Sequence, residues 1–417
     1  MEAPQAAVVS VGTELLTGER VNRDLAYLGG VLFSLGVEVR LEMSVPDRRE
    51  LIVRAVGRAV EEVEIVLVTG GLGPTPDDLT REAVAGALGL PVESDPRARE
   101  LVLEAARREG VEPTPEWVER QSLQPRGALA LGNRAGTAPG FILEHRGKVV
   151  AALPGPPREL EVVVEDHLRP FLQRWLSARG VSFHSLGLRI IRRREWELAA
   201  LIEELGLPPG VEVAYLPRLG EVEVRLRGRD REAVEGFGSR ISRALGPLVY
   251  GEGEASLEAR VGELLRERGW TLALAESCTG GLLGHRITSI PGSSDYFLFG
   301  AVVYANRAKV EVLGVREETL RAHGAVSEET AREMAEGALR VGKADIAIST
   351  TGIAGPGGGI PGKPVGTVCF GLATRGEETL TFRRLLPGDR ETVKYLTSQE
   401  ALCLLYGRLA APELLRE

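Results

Sequence analysis

Three segments in the first 170 residues repeat one pattern: a short apolar run, a glycine-containing turn, and then apolar residues at helical spacing. They are AAVVSVGTELLTGERVNRDLAYLGGVLFSLG (6–36), EIVLVTGGLGPTPDDLTREAVAGALG (64–89) and KVVAALPGPPRELEVVVEDHL (148–168). Apolar runs that alternate with helices are typical of buried parallel strands, so the pattern predicts a doubly wound α/β domain. Because ligands bind at the carboxyl ends of strands in such sheets, we expect the three turns to meet at one edge.

The remaining sequence predicts two more domains. Residues 170–250 have the order strand, helix, strand, strand, helix, which is typical of a small α+β module. The stretch GEGEAS (251–256) is typical of a linker, and beyond it strands and helices alternate again in a further α/β domain. Since 417 residues exceed what one core usually holds, we predict domains at 1–169, 170–250 and 251–417.

Composition argues against several classes of protein. The net charge of −8 and the 5% of aromatic residues do not suit a nucleic-acid-binding surface. A KH-type RNA module in the middle domain would need a GxxG loop between helices, and the nearest candidate, GLPPG (206–210), leads into a strand. We therefore favour a spacer or dimerisation role for that module.

Cysteine content and the apolar runs bear on the compartment. The three cysteines are widely spaced and form no CxxC pair, which argues against a disulfide framework or a zinc knuckle. The amino end lacks a basic segment followed by a long apolar one, and no run of about 18 apolar residues occurs. We predict a soluble, cytoplasmic protein that does not enter a membrane.

Lysine is rare in this chain. Only five of the 51 basic residues are lysines, and asparagine occurs three times. An arginine-rich, amide-poor composition suits a hot environment, although genome base composition gives the same skew. Because arginine cannot give up its proton at working pH, any candidate for a basic amine must come from the few lysines.

The stretch LALAESCTGGLLGHRIT (272–288) places polar residues between a strand and a helix. N–H groups and the dipole at a helix start can stabilise an oxyanion beside Ser277, or Ser277 and Thr279 can simply cap the helix. If these two side chains point into a pocket, Cys278 points into the core, and it stays a rival nucleophile. His285 lies about two helical turns away, too far to be the base.

Lys309 follows the next predicted strand, which ends at Tyr304. A desolvated lysine can be neutral near pH 7 and act as the base of a Ser–Lys pair, with the tyrosine hydroxyl relaying or holding a proton. The alternative is an ordinary solvated lysine. Further on, the glycine-rich loop STTGIAGPGGGIPG (349–362) and Arg390 at a helix start are typical of groups that hold an anion.

The loop GGLGPTPDD (70–78) combines three glycines with two adjacent carboxylates. Its glycine N–H groups can hold phosphate, while Asp77 and Asp78 can hold a divalent cation. The alternative is an acidic first helical turn that the dipole stabilises. Glu14 and Asn22 lie on the first turn and its helix.

Several of these motifs together resemble one family. AESCTGG, VVYANRAK, STTGIAGP and GDRETV resemble a nicotinamide mononucleotide deamidase domain, and VGTELLTGERVNRD with TGGLGPTPDDLT resembles the amino-terminal domain of the CinA proteins. The resemblance covers essentially the whole chain in the family's order. It implies two enzymes and a homodimer. The carboxyl domain would hydrolyse nicotinamide mononucleotide to nicotinate mononucleotide and ammonia without a metal. The amino domain, similar to molybdopterin-binding folds, would hydrolyse ADP-ribose to AMP and ribose 5-phosphate with Mg, Mn or Co.

The resemblance also implies roles for individual residues. Ser277 would be the nucleophile and Lys309 its base, with Tyr304 beside them. The deamidase substrate would be held by Thr279, Gly280, Thr351, Gly355 and Arg390. In the amino domain, Asp77 and Asp78 would hold the metal, and ADP-ribose would contact Glu14, Asn22, Gly71, Gly73, Thr75 and Gly155. The segments NRAGTAPGF (133–141) and LPGPP (153–157) would close that pocket, but Pro156 departs from the family's usual Pro-Gly-Val-Pro.

Two functions of other kinds stay open. The family's name records an association with competence and DNA damage, so the chain could act as a partner protein in recombination. Net acidity argues against direct DNA binding but not against a protein contact. The amino-domain fold alone also suits a molybdopterin-binding protein, by analogy.

Overall fold

A computed structural model describes residues 4–416, which form two compact units. The first contains residues 4–185 with Arg227–Arg231, and the second contains Leu186–Leu226 with residues 232–416. The predicted division into three domains stays a prediction. Among residues 4–416, no helix is both long enough and apolar enough to cross a membrane.

The first unit is built on a six-stranded sheet. Its strands are β1 (Gln5–Val11), β2 (Glu38–Val45), β3 (Ile65–Thr69), β4 (Val92–Ser94), β5 (Leu123–Pro125), β6 (Leu129–Leu131), β7 (Gly140–His145) and β8 (Lys148–Leu153). The sheet order is β2-β1-β3-β8-β7-β6, and β4 pairs with β5 separately. Strands β2, β1, β3 and β8 are parallel, whereas β7 and β6 are antiparallel, so the predicted doubly wound domain is confirmed with an antiparallel edge.

Helices cover both faces of this sheet, with one apolar cluster on each face. They are α1 (Thr13–Thr17), α2 (Arg23–Ser34), α3 (Arg49–Glu62), α4 (Thr80–Leu88), α5 (Pro96–Glu109), α6 (Pro115–Ser122), α7 (Pro157–Val163) and α8 (Arg169–Ser177), with a π-helical turn at Val164–Leu168. The central strands β1, β3 and β8 are almost wholly buried, as their mainly apolar sequences predict.

The three glycine turns meet at the carboxyl ends of β1, β3 and β8. Gly70 follows β3 with φ +89°, and a Cβ there would lie 2.2 Å from the Val11 carbonyl oxygen at the end of β1. A Cβ at Gly155, after β8, would lie 3.2 Å from the Gly70 Cα. Only glycine permits both the positive φ and this close approach, and the expected convergence is confirmed.

The second unit begins with the predicted small α+β module. Its elements are β9 (His184–Ile191), α9 (Glu195–Leu205), β10 (Val211–Arg218), β11 (Glu221–Gly228), α10 (Arg231–Leu245) and β12 (Val249–Glu252). The sheet order is β10-β11-β9-β12. The predicted β-α-β-β-α order is confirmed, with β12 as an addition at the sheet edge.

A five-stranded sheet forms the rest of the second unit. The elements are α11 (Leu257–Arg268), β13 (Leu272–Glu276), α12 (Leu282–Thr288), β14 (Phe297–Val302), α13 (Asn306–Leu313), α14 (Glu317–His323), α15 (Glu328–Gly342), β15 (Ile346–Gly352), β16 (Thr367–Thr374), β17 (Leu380–Leu385) and α16 (Arg390–Ala410). Its order is β14-β13-β15-β16-β17; the first three strands are parallel and the last two antiparallel. The polar residues that follow β13, β14 and β15 therefore lie at one edge.

Candidate active sites

Ser277 and Lys309 are in direct contact in the second unit. Ser277 follows β13, where its N–H donates to the Thr350 carbonyl. Lys309 lies in the first turns of α13, just after β14, with its Nζ 3.1 Å from the Ser277 Oγ. Because β13 and β14 are parallel neighbours, both residues emerge at the same sheet edge. Lys309 is 1% exposed and Ser277 is 8% exposed, so the pair is shielded from bulk water.

The Lys309 amine has two further partners, and both are carbonyl oxygens. Nζ lies 2.8 Å from the Val303 oxygen and 3.1 Å from the Tyr304 oxygen. A carbonyl can only accept, so two amine hydrogens are directed at these groups. In the neutral amine the lone pair is then left for the Ser277 hydroxyl. Burial lowers the pKa of Lys309, which favours that neutral form.

Cys278, the rival nucleophile, faces the apolar core. Its side chain belongs to the same buried cluster as Leu274 and Leu283. Burial raises the pKa of its thiol to about 12, so the reactive thiolate is disfavoured at neutral pH. The expectation that Cys278 points into the core is confirmed.

Glu276 has a role that sequence reasoning missed. Its carboxylate accepts hydrogen bonds from the backbone N–H groups of Gly281, Leu283 and Gly284, at 3.0, 3.0 and 2.7 Å. These three N–H groups lie at the start of α12, where we expected an oxyanion to bind. Because the Glu276 carboxylate occupies them, they are not available to an oxyanion, and that expectation is wrong for these three groups. In the sequence, the signal that could have indicated this role is an acidic residue directly before the serine and the Gly-Gly turn.

Two other N–H groups are placed closer to the serine. Within residues 4–416, the backbone N–H groups of Cys278 and Thr279 donate to no backbone carbonyl. They belong to the two residues directly after Ser277, where many serine hydrolases have an oxyanion donor. The segment after β13 thus supplies a hydroxyl and two adjacent N–H groups, and α13 supplies the buried amine.

Replacing Glu276 by glutamine is expected to lower the free energy of unfolding by about 1–3 kcal/mol, because a neutral amide directs its own N–H toward backbone donors. The thermal midpoint should fall. The control is Glu311→Gln, which removes an exposed ion pair with Arg307 and should change little. Equal midpoints for the two variants would contradict the capping role.

Arg390 and Tyr304 form a second group beside the serine site. Arg390 Nη1 donates to the Gly355 carbonyl at 2.8 Å, and Nη2 donates to the Tyr304 hydroxyl at 3.0 Å. Tyr304 is 60% exposed, and only its backbone carbonyl contacts Lys309. The hydroxyl that we expected to relay a proton is therefore bound to Arg390 instead.

The predicted threonines and glycines take mostly structural positions. The Thr279 and Thr350 hydroxyls lie 2.9 Å apart, and the Thr351 hydroxyl donates to the Ala325 carbonyl at 2.7 Å. Gly280 has φ +63° in the turn after the serine, where a residue with a side chain would be strained. These contacts shape the site around Ser277.

A cavity of about 470 Å³ lies at the edge where the three turns of the first unit meet. Each predicted amino-domain residue except Thr75 lines it: Glu14, Asn22, Gly71, Gly73, Asp77, Asp78 and Gly155. Asn22 also has a structural role, since its Oδ1 caps α2 through the Leu25 N–H and its Nδ2 donates to Ser10. One amide hydrogen of Asn22 remains for a ligand.

Thr75 does not line the cavity but holds the two carboxylates of the acidic loop in place. Its N–H donates to Asp78 Oδ2 at 2.8 Å, and its hydroxyl lies 2.6 Å from the same oxygen and in contact with Asp77 Oδ1. Two carboxylates thus converge on one hydroxyl, which has a single proton to donate. The Thr75 hydroxyl lowers the pKa of Asp77, so this carboxyl stays charged.

Asp24 is a second residue that sequence reasoning missed. It lies on α2, lines the same cavity and bonds to the Thr69 side chain at the end of β3. Burial raises its pKa to about 6. The motif VGTELLTGERVNRD ends at this residue. No role was predicted for it, because its place in the cavity depends on how α2 packs against the sheet.

The carboxylates of this cavity fit one kind of metal site. Across residues 4–416, no group of three or more His, Cys, Asp or Glu side chains could hold a metal ion as a closed cage. Asp77 and Asp78 alone suit Mg²⁺, which keeps several waters and takes its other ligands from substrate phosphates. They do not suit a structural zinc site.

Known proteins match the chain along its whole length. A competence-damage inducible protein of Moorella thermoacetica is 44% identical over 98% of this chain and 99% of its own length. The chain belongs to the CinA family. A CinA-like protein of Chlorobaculum tepidum is 41% identical over 98% of this chain and 100% of its own.

The family assignment agrees with both parts of the chain. The family described as "CinA C-terminal domain" matches residues 254–409, and "Probable molybdopterin binding domain" matches residues 7–174. A solved CinA superfamily protein from Klebsiella pneumoniae is 42% identical, covering 37% of this chain and 96% of its own, with a TM-score of 0.36. The predicted membership of the CinA family and the predicted fold class are confirmed.

Proposed function

We propose that the carboxyl-terminal part of this CinA-family chain is an amidohydrolase that acts on the carboxamide of nicotinamide mononucleotide. The observation that carries the proposal is the buried contact between the Lys309 amine and the Ser277 hydroxyl, at 3.1 Å. A shielded amine with a lowered pKa is the base that a serine nucleophile requires when histidine is absent. Tyr304 links the pair to Arg390, because its carbonyl accepts from the Lys309 amine and its hydroxyl accepts from the Arg390 guanidinium.

The proposed cycle uses only these groups. Ser277 Oγ attacks the carboxamide carbon while its proton passes to the neutral Lys309 amine. The negative oxygen of the tetrahedral intermediate is held by the N–H groups of Cys278 and Thr279. The Lys309 ammonium then protonates the leaving nitrogen, and ammonia departs. Water, deprotonated by Lys309, then attacks the acyl ester. Nicotinate mononucleotide leaves as the Lys309 ammonium returns the proton to Ser277 Oγ.

Arg390 supports the choice of a nucleotide as substrate. Its guanidinium donates one hydrogen bond to Gly355 and one to Tyr304, which leaves three of its five N–H groups for a phosphate. The two contacts also fix the plane of the guanidinium, so less entropy is lost when the phosphate binds.

The test is ammonia release from nicotinamide mononucleotide by the full chain in the presence of a chelator. We expect release at the same rate with and without added metal, since the cycle requires none. Failure of the purified, folded chain to release ammonia would contradict the proposal.

For the amino-terminal part we propose metal-dependent hydrolysis of ADP-ribose. The supporting observation is a cavity that combines the glycine loop Gly70–Gly73 with the carboxylates of Asp77 and Asp78. Bound there through these carboxylates, a divalent cation would supply charge neutralisation for a pyrophosphate. The Gly70 N–H donates to the Leu153 carbonyl, so phosphate oxygens would be bound by the N–H groups of the residues that follow, Gly71 to Gly73. Asp24, with its raised pKa, is placed to hold or release a proton near neutral pH.

Asp78→Asn is expected to reduce ADP-ribose hydrolysis by about 100-fold or more, because one of two charged metal ligands is lost. Ammonia release should stay at the wild-type rate, since its residues belong to the other unit. The matched control, Asp166→Asn, removes a surface carboxylate paired with Arg134 and should leave both activities unchanged. Loss of both activities in Asp78→Asn would indicate unfolding, whereas ADP-ribose hydrolysis at the wild-type rate would contradict the assignment.

A molybdopterin ligand is the second candidate for this cavity, favoured by the match to "Probable molybdopterin binding domain" over residues 7–174. Mass spectrometry of small molecules that copurify with the chain separates the two. A pterin would support this candidate, and an adenine nucleotide would support ADP-ribose hydrolysis.

A further inference from the structure

The side-chain amide of Gln121, in the first unit, is held in one orientation by a hydrogen bond. It lies near the end of α6, is 0% exposed, and lines the acidic cavity. The Trp117 indole N–H donates to Gln121 Oε1 at 2.6 Å. Because an indole nitrogen can only donate, the amide oxygen must face Trp117, and the NH2 group must point the other way.

The NH2 group of Gln121 has no protein partner. Within residues 4–416, Nε2 is buried and makes no hydrogen bond. An unsatisfied buried donor is costly, and native proteins retain few of them. A ligand that presents an acceptor oxygen in the cavity would satisfy this donor.

The surroundings of Gln121 indicate which acceptor it meets. Its neighbour Arg120 donates through Nη2 to the Thr75 carbonyl at 2.9 Å, so this end of α6 is tied to the loop that carries Asp77 and Asp78. That loop is where the proposed function places a pyrophosphate. A neutral N–H donor can bind phosphate without competing with a cation for the two carboxylates.

We propose that Gln121 Nε2 binds a phosphate oxygen of a nucleoside diphosphate in this cavity. The inference rests on the proposed function of the amino-terminal part, and it adds a specificity residue to it. Trp117 acts as a positioning residue, because it fixes the amide without lining the cavity.

The experiment measures the affinity of the full chain for ADP in the presence of Mg²⁺, by calorimetry. Gln121→Leu is expected to weaken ADP binding by about tenfold to a hundredfold, the effect of losing a hydrogen bond to a charged group. Gln121→Glu should weaken it more, because a carboxylate would face the phosphate. Trp117→Phe should give a smaller loss, since the amide is then free to turn.

The chain offers a matched control three residues away. Gln124 is 2% exposed, and its amide also makes no hydrogen bond within the described residues, but it does not line the cavity. Gln124→Leu should therefore bind ADP like the wild type. Thermal unfolding of both leucine variants checks that each is folded.

The outcomes separate this inference from the proposed function. Weaker ADP binding in Gln121→Leu alone supports the inference even if ADP-ribose is not hydrolysed. If Gln121→Leu binds ADP as tightly as the wild type, the inference about Gln121 is overturned, but the proposal that the chain hydrolyses ADP-ribose is not. Tighter binding in Gln121→Glu would place the contact on a ligand hydroxyl and overturn it as well, as would a wild-type chain that binds no ADP.

Discussion

Replacing Ser277 by alanine is expected to abolish ammonia release from nicotinamide mononucleotide, with a loss of about 10⁴-fold or more in kcat. The loss is large because the Lys309 amine then has no hydroxyl to activate and no acyl intermediate can form. The thermal midpoint should change little, since one buried hydrogen bond to a small side chain is removed. Ammonia release under saturating substrate is the measurement.

The neighbouring residue provides the control for this prediction. Cys278→Ala should keep near wild-type ammonia release, because the thiol faces the core and its pKa is raised to about 12. It should lower the thermal midpoint, because a buried side chain leaves a small cavity. An inactive Cys278→Ala together with an active Ser277→Ala would reverse the assignment of the nucleophile.

The parts of the site that could be predicted are those that follow from strand order. Ser277 and Lys309 each follow an apolar strand, and parallel strands bring their carboxyl ends to one edge, so proximity could be inferred without coordinates. The convergence of the three glycine turns in the first unit follows from the same rule. The antiparallel strands β16 and β17 could not be inferred this way, because apolar patterning does not record strand direction.

The parts that could not be predicted depend on side-chain direction across long sequence separations. Tyr304 was marked as a proton relay by its position beside Lys309, yet its hydroxyl bonds to Arg390, 86 residues away. Glu276 turns onto the start of α12 instead of the pocket. Gln121 lines a cavity whose other walls come from distant turns. Periodicity and propensity describe neighbours along the chain, so such contacts carry no local signal.

Substitution of Lys309 is expected to abolish ammonia release, and the pH dependence of the wild-type rate should report the protonation of this residue. Lys309→Arg is expected to be inactive at every pH, because a guanidinium keeps its proton and cannot serve as a base. In the wild type, ammonia release should rise with pH through the lowered pKa of Lys309 and then level off, since only the neutral amine accepts the Ser277 proton. Rate measured against pH tests both statements.

The same lowered pKa predicts an independent change in stability. Between the folded pKa of Lys309 and its unfolded value of about 10.4, the unfolded chain binds more protons, so wild-type stability gains a contribution that grows as pH rises. Lys309→Met lacks this contribution. In this variant the Val303 and Tyr304 carbonyls lose their hydrogen-bond donor. This loss shifts the thermal midpoint of the variant by an amount that does not depend on pH. We therefore subtract the thermal midpoint of the wild type from that of Lys309→Met at each pH. This difference should become more negative as the pH rises from the folded to the unfolded pKa of Lys309. A difference that stays flat, together with a flat rate profile, would show that Lys309 is an ordinary charged lysine and would remove the base from the proposed mechanism.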